Sequence, residues 1–188
     1  MHGFRSSPQS IKARLTAAWL AAHRPEVTWW CPQLPASPRE AIAAVTSGIA
    51  GWPAARMAVI GSSLGGFYAT AIAERQGCRA VLLNPAVDPA RDLVAAVGEV
   101  ATAWHSDAPF VFRAAYLDEL RAITAAPTLA HPERFFAIIA EGDEVLSWQE
   151  MSARYAGCAQ LVLPGGDHAL SDYPALLPRA MAFLGLAK

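Results

Sequence analysis

At 188 residues and 20.0 kDa the chain is the size of one compact domain, and 54 % hydrophobic against 16 % charged residues, with a mean hydropathy of +0.25, excludes a disordered or strongly solvated polymer. Fifteen basic and 16 acidic residues leave a net charge of −1 and a pI near 6.5, no electrostatic footprint for nucleic acid. No continuous apolar run approaches the ~18 residues needed to cross a bilayer, because the longest apolar stretches are cut by Arg, Glu, Gly or Pro, so membrane insertion is not expected.

Much of the apolar fraction is alanine, which predicts closely approaching helices, small core side chains and a modest burial energy per residue. Cys31, Cys78 and Cys158 lie far apart, without a CxxC or a His at ligand spacing. Such a set reads as buried thiols in a reducing cytoplasm. No metal or organic cofactor is expected.

In chain order, the pattern predicts a helix over 8–22, where Pro8 and a Ser-rich turn fit a capped amphipathic helix better than the apolar part of a signal peptide at Leu15 to Ala22. A strand follows at Val27 to Cys31, a helix at 38–50, a strand at Met57 to Ile60, a helix at 64–76 and a strand at Ala80 to Leu83. Further strands fall at Phe135 to Ala140 and Gln160 to Leu163, with helices at 147–156 and 174–185. Short β-rich runs alternating with longer helical ones, without hairpin turns between neighbours, imply crossover connections. The expected architecture is α/β: a three-layer α/β/α sandwich around a mostly parallel sheet, in a single domain.

One interval breaks the rhythm. Pro85 to Glu133 is about twice the length of a single crossover, which predicts a helical insertion over about 85–133 with segments at Asp92 to Val100 and Phe112 to Ile123. Its Trp104, Phe110, Phe112 and Tyr116 suit either a substrate-facing cap or an ordinary pair of packed helices. Together with Trp148 they could line an acyl pocket, although aromatic residues near helices are more often core.

The sharpest chemical signal is Gly61-Ser62-Ser63-Leu64-Gly65-Gly66 between a strand and a helix. A GxSxG turn reverses so sharply at its serine that the flanking positions tolerate little beyond hydrogen, so Gly61 and Gly65 make room and Ser63 is lifted clear of the backbone. At a helix N-terminus, the N–H of Leu64 would face a developing oxyanion. Glycine-rich turns of this kind also cradle phosphates, but this one lacks the Lys of a P-loop and the GxGxxG spacing. Ser62 sits at the wrong offset to be the reactive hydroxyl.

A serine at neutral pH requires a base and an orienting carboxylate. Pro164-Gly165-Gly166-Asp167-His168 follows the last strand and places His168 on a flexible loop at the end where sites of open α/β sheets gather. Glu141, Asp143 and Glu144 follow the preceding strand. Asp143, just past Gly142, is preferred for orienting His168, with Glu141 and Glu144 expected to cap the next helix or face water. Asp167 is expected to fix its own loop. At the start of the chain, His2-Gly3-Phe4 reads either as a loop donating the Phe4 N–H as a second oxyanion contact, with His2 stabilising that loop, or as a frayed terminus.

The segments HGFRSSPQSIKA, CPQLP, IGSSLGGFYATAIAE, AVLLNPAVDP, EGDEVLSW and PGGDHAL, with a final helix ending in Phe183-Leu184, together resemble the YqiA-like small bacterial esterases of the α/β-hydrolase superfamily across nearly the whole chain. The order Ser63, Asp143, His168 is that of the superfamily. The resemblance implies a hydrolase of small carboxylic esters or thioesters acting through an acyl-enzyme, with Ser63, Asp143 and His168 at the triad positions and Phe4 and Leu64 at the oxyanion positions. A non-catalytic binding or scaffold protein on the same fold, or an acyltransferase using the same triad, are the alternatives. In the family a strand precedes the HGF loop and lies between the strands matched by Val27 to Cys31 and Met57 to Ile60, whereas here Met1 abuts the loop. The expectation is therefore a sheet lacking that first strand and a natural polypeptide that begins upstream.

Overall fold

The computed structural model describes residues 1–102, 109–123 and 128–187. The chain begins with helix α1 (Ile11–His23), capped by the Ser10 side chain, and α2 (Pro38–Gly48), capped by Ser37 with Pro38 in its first turn. Strand β1 (Ala58–Ser62) leads into α3 (Leu64–Gln76), which Gly77 ends in the left-handed conformation at φ 72°. Strand β2 (Arg79–Leu83) is followed by the short helix α4 (Pro89–Asp92), strands β3 (Val100–Thr102) and β4 (Pro109–Val111), and helix α5 (Ala115–Ile123). Strand β5 (Phe135–Ala140), helix α6 (Trp148–Arg154), strand β6 (Ala159–Leu163) and helix α7 (Tyr173–Phe183) complete the order.

The main sheet is four-stranded in the order β1-β2-β5-β6, and every pairing is parallel. Its two central strands are buried on both faces, as a parallel sheet covered by helices requires. Side-chain alternation assigns the layers. Ala80 and Leu82 of β2 and Phe135, Ala137 and Ile139 of β5 join the core beneath α2, α3, α5 and α6. Val81, Leu83, Phe136, Ile138 and Ala140 face the opposite core with α1 and α7. Buried hydroxyl pairs tie helices within each layer: Thr70 of α3 to Tyr155 just past α6 at 2.9 Å, and Thr16 of α1 to Tyr173 of α7 at 2.8 Å.

Three expectations are corrected. Val27 to Cys31 is irregular, beginning in a bend, and joins no ladder. A groove of about 670 Å³, lined by Trp29, Trp30, Trp52 and Ile60 among others, separates it from β1, so its backbone cannot reach that strand. This groove falls where the family resemblance places a strand, and Met1 bonds along the neighbouring edge, its ammonium donating to the Ile60 carbonyl and its carbonyl accepting from the Ser62 N–H. Second, Asp92 to Val100 is not one helix. It divides into the end of α4, a 3-10 turn at Val94–Ala96 and the start of β3, because Gly98 adopts a positive φ of 80° and donates its N–H to Phe112. Third, the interval contains an antiparallel pair, β3 with β4. Trp104 lies outside the described residues.

Candidate active site

Ser63 stands at the junction of β1 and α3 with φ 55° and ψ −124°, a positive-φ conformation that non-glycine residues adopt only when their surroundings impose it. The crowding around the turn is severe: a Cβ on Gly61 would overlap the Gly65 carbonyl and the Ala69 methyl, and one on Gly65 would overlap the Met1 and His2 carbonyls. Ser63 donates its N–H to Leu83 at the end of β2 and accepts from the N–H groups of Gly66 and Phe67. Its hydroxyl is thereby held proud of the sheet.

The loop after β6 brings His168 to this hydroxyl, with Nε2 3.0 Å from Ser63 Oγ. Its other ring nitrogen, Nδ1, lies 2.8 Å from Asp143 Oδ2. Asp143 sits in the turn after β5 with its side chain sealed from solvent, and its second oxygen accepts the N–H groups of Val145 and Leu146, each at 2.8 Å. Burial acts to raise its pKa, but the hydrogen bonds from His168, Leu146 and Val145 outweigh it and hold the carboxyl below its ordinary range. The group remains an anion that keeps Nδ1 protonated and leaves Nε2 free to accept a proton from Ser63.

The neighbouring carboxylates have other partners. Glu141 is exposed. Glu144 neither caps the next helix, a task performed by Ser147, nor merely faces water: its Oε2 accepts the His168 backbone N–H at 2.9 Å. Asp167 turns away from the imidazole and bonds the backbone and hydroxyl of Ser171. Lys12, not singled out by any sequence motif, donates its ammonium to the Ala169 carbonyl and lies close enough to Asp167 and Asp143 for both to oppose the lowering of its pKa by burial.

The HGF segment is ordered against the elbow. A Cβ on Gly3 would come within 3.2 Å of Ser63 Cβ and 3.7 Å of Ser63 Oγ. Phe4 follows this glycine, and Leu64 follows Ser63 as the first residue of α3. His2 anchors the loop, with Nδ1 3.1 Å from the Gly3 carbonyl and Nε2 accepting the Leu34 N–H at 3.0 Å. The interval between β2 and β5 braces it from the other side. The Phe4 ring makes edge contacts with Phe110 at 5.2 Å and Phe112 at 5.3 Å, and Arg5 pairs with Glu99 at 2.6 Å. Tyr116 packs edge-on to Phe112 at 5.5 Å, and Trp148 packs against the larger core. A small cavity of about 20 Å³ lies beside the loop, with Phe4, Leu34, Leu64, Tyr68 and Phe110 in its walls. The large groove beyond β1 is lined by none of Ser63, Asp143 or His168.

A parallel sheet covered on both faces, with a strained serine between strand and helix and a histidine and an aspartate on later loops, defines the α/β-hydrolase fold class, and solved structures agree. A hydrolase from Agrobacterium vitis S4 superposes with a TM-score of 0.72 at 16 % identity, over 97 % of this chain and 85 % of that one. The mouse alpha/beta hydrolase domain-containing protein 10 gives 0.68 at 13 % identity over 98 % and 88 %, and an Arabidopsis methylesterase 0.66 at 14 % identity over 98 % of both chains. At the level of sequence, residues 1–185 match the profile of the uncharacterised protein family UPF0227, and the chain belongs to that family. Among the described residues no helix is long and apolar enough to cross a membrane, and no cluster of His, Cys, Asp and Glu has the makings of a metal site.

Proposed function

We propose that the chain is a serine hydrolase that cleaves small carboxylic esters or thioesters. The reading rests on one observation: the unbroken relay from Ser63 Oγ through His168 at 3.0 Å to Asp143 at 2.8 Å, ending at a serine in a strained turn. Esterases among the proteins of similar fold give it further support. His168 Nε2 takes the Ser63 proton as Oγ attacks the acyl carbon. The carbonyl oxygen becomes an oxyanion facing the Phe4 and Leu64 N–H groups, where one lost donor typically costs about 10²–10³ in rate. His168 returns the proton to the departing alcohol or thiol, leaving Ser63 acylated. Water, deprotonated by the same imidazole, then releases the acid and restores the hydroxyl. Asp143 keeps the imidazole in the productive tautomer and balances its transient charge. Every step uses groups of this chain.

The insertion acts as a brace for the oxyanion loop through Phe110, Phe112 and Glu99. The chain's free cysteines, Cys78 buried and Cys31 and Cys158 half-buried, fit a reducing cytoplasm. A fluorophosphonate probe together with turnover of a short acyl ester tests the reading. The wild-type protein should be labelled and active, and Ser63→Ala should be folded, unlabelled and inactive. Absence of labelling in the wild type, or substantial turnover by the variant, overturns the proposal and favours a binding protein or a different nucleophile.

A further inference from the structure

Asn84, the residue after β2, takes no part in the chemistry above, yet it is completely buried and holds φ 41°, a conformation rare for a residue with a side chain. A buried amide must satisfy both ends, and this one does so entirely with segments that carry the site. Its Oδ1 accepts the Ala140 N–H at 2.8 Å, at the end of the strand leading to Asp143. Its Nδ2 donates to the carbonyls of Asp167 at 3.0 Å and His168 at 3.3 Å. Because an N–H must face Oδ1 and carbonyls must face Nδ2, these contacts also fix which way the amide points.

The backbone completes the connection. Asn84 donates its N–H to Ile138 at 2.9 Å, while Leu83, one residue earlier, accepts the Ser63 N–H at 3.0 Å. Two consecutive residues thus touch all three segments: the serine elbow, the aspartate strand and the histidine loop. The histidine loop has no ladder of its own to hold it. Its position depends on Asn84, on the Gly142 N–H at the Gly165 carbonyl, on Lys12 at Ala169 and on Glu144 at the His168 N–H; of the side chains among these only Asn84 is fully buried, and it alone also binds the aspartate strand.

Building on the hydrolase reading, we infer that Asn84 is a positioning residue, which sets the His168 imidazole in line between Ser63 Oγ and Asp143. It touches no reacting atom. Its effect comes through the carbonyls it grips, and misplacing a reacting group by about an ångström can cost roughly 10²-fold in rate.

Two variants and two readouts test this. Asn84→Asp keeps the acceptor for Ala140 but turns a carboxylate oxygen toward two carbonyls. Asn84→Gly removes the side chain and suits the positive φ, which favours folding. Each is assayed as kcat and KM per folded protein on a short acyl ester and as the rate of fluorophosphonate labelling. The ¹H resonance of the His168 Nδ1 proton is followed by NMR. The expected result is a loss of roughly 10–100-fold in both kcat and labelling rate, with KM nearly unchanged and the Nδ1 resonance shifted or broadened. A purely structural role would lower thermal stability but leave kcat, labelling and the resonance of the folded fraction at wild-type values, and that result overturns the inference while leaving the hydrolase reading intact. A wild-type protein that resists labelling overturns both.

Discussion

Acidification should loosen the oxyanion loop through a single side chain, His2. It is 7 % exposed, and its two ring nitrogens are committed to the Gly3 carbonyl and the Leu34 N–H, a pattern only the neutral ring can satisfy. Burial, aided by the nearby N-terminal ammonium and opposed by the Gly3 contact, lowers its pKa from 6.5 to about 4. The unfolded chain therefore takes up this proton first as pH falls, and stability is lost between pH 6.5 and about pH 4. The slope approaches 1.36 kcal/mol per pH unit, about 3 kcal/mol across the window. Urea denaturation of the wild type and His2→Gln in steps from neutral pH to about pH 4 isolates the effect, because acid destabilisation arising from Asp143 is common to both and cancels. At neutral pH the variant should be weaker by about 1 kcal/mol, the usual worth of a hydrogen bond. Towards pH 4 the gap should close and reverse, with esterase activity of the wild type declining over the same range. A stability gap that stays constant refutes the reasoning.

Asp143→Asn should lower turnover by on the order of 10³–10⁴-fold by favouring the wrong imidazole tautomer, whereas Glu141→Gln should be near wild type and Glu144→Gln, whose amide oxygen can still accept from His168, should lose far less; equal losses across the three would sink the assignment of Asp143. Gly65→Ala drives a methyl into the Met1 and His2 carbonyls and should cost about 1–3 kcal/mol in chemical denaturation, while Gly51→Ala, with nothing within 4 Å of the new methyl, should stay within about 0.5 kcal/mol of wild type; similar values for both would refute the steric argument.

Elements governed by local pattern were legible in the sequence. Phe135–Ala140 and 64–76 coincide with β5 and α3 because a continuous apolar run and a Gly-flanked Ala-rich helix each carry their own boundary signals. The strand assignment for Val27 to Cys31 rested on the same apolar content, but a strand also needs a neighbour, and the groove beside β1 removes it. The hairpin of β3 and β4 was hidden for the opposite reason: two three-residue strands are too short to show a period, and their pairing is fixed by the turn at Gly98 and by packing of Phe110 and Phe112 on Phe4. At the site, Ser63, Asp143 and His168 were readable because each sits beside glycines at the end of a recognisable strand. Asn84, Lys12 and Glu144 were not. Their contacts span tens of residues of chain and depend on geometry that no local spacing encodes.

Backbone strain marks the same region without reference to any motif. Among the described residues, the non-glycine positions with positive φ are Arg5, Ser63, Asn84 and Leu170. Arg5 follows Phe4, Ser63 bears the hydroxyl, Asn84 grips the histidine loop, and Leu170 ends the turn that starts at Asp167. Each such residue costs roughly 1–3 kcal/mol, an appreciable fraction of the ~5–15 kcal/mol that holds a domain together. Ordinary turns place glycine where φ is positive, as this chain does at Gly77, Gly165 and Gly166. At the four exceptions the side chain has work that glycine could not do: a hydroxyl at Ser63, an amide at Asn84, an ion pair to Glu99 at Arg5 and a buried apolar plug at Leu170. Strain at the Ser63 hydroxyl and at the amide that grips the histidine loop, flanked by strain at Arg5 and Leu170 on the adjoining loops, is what the proposed preorganised nucleophile would require.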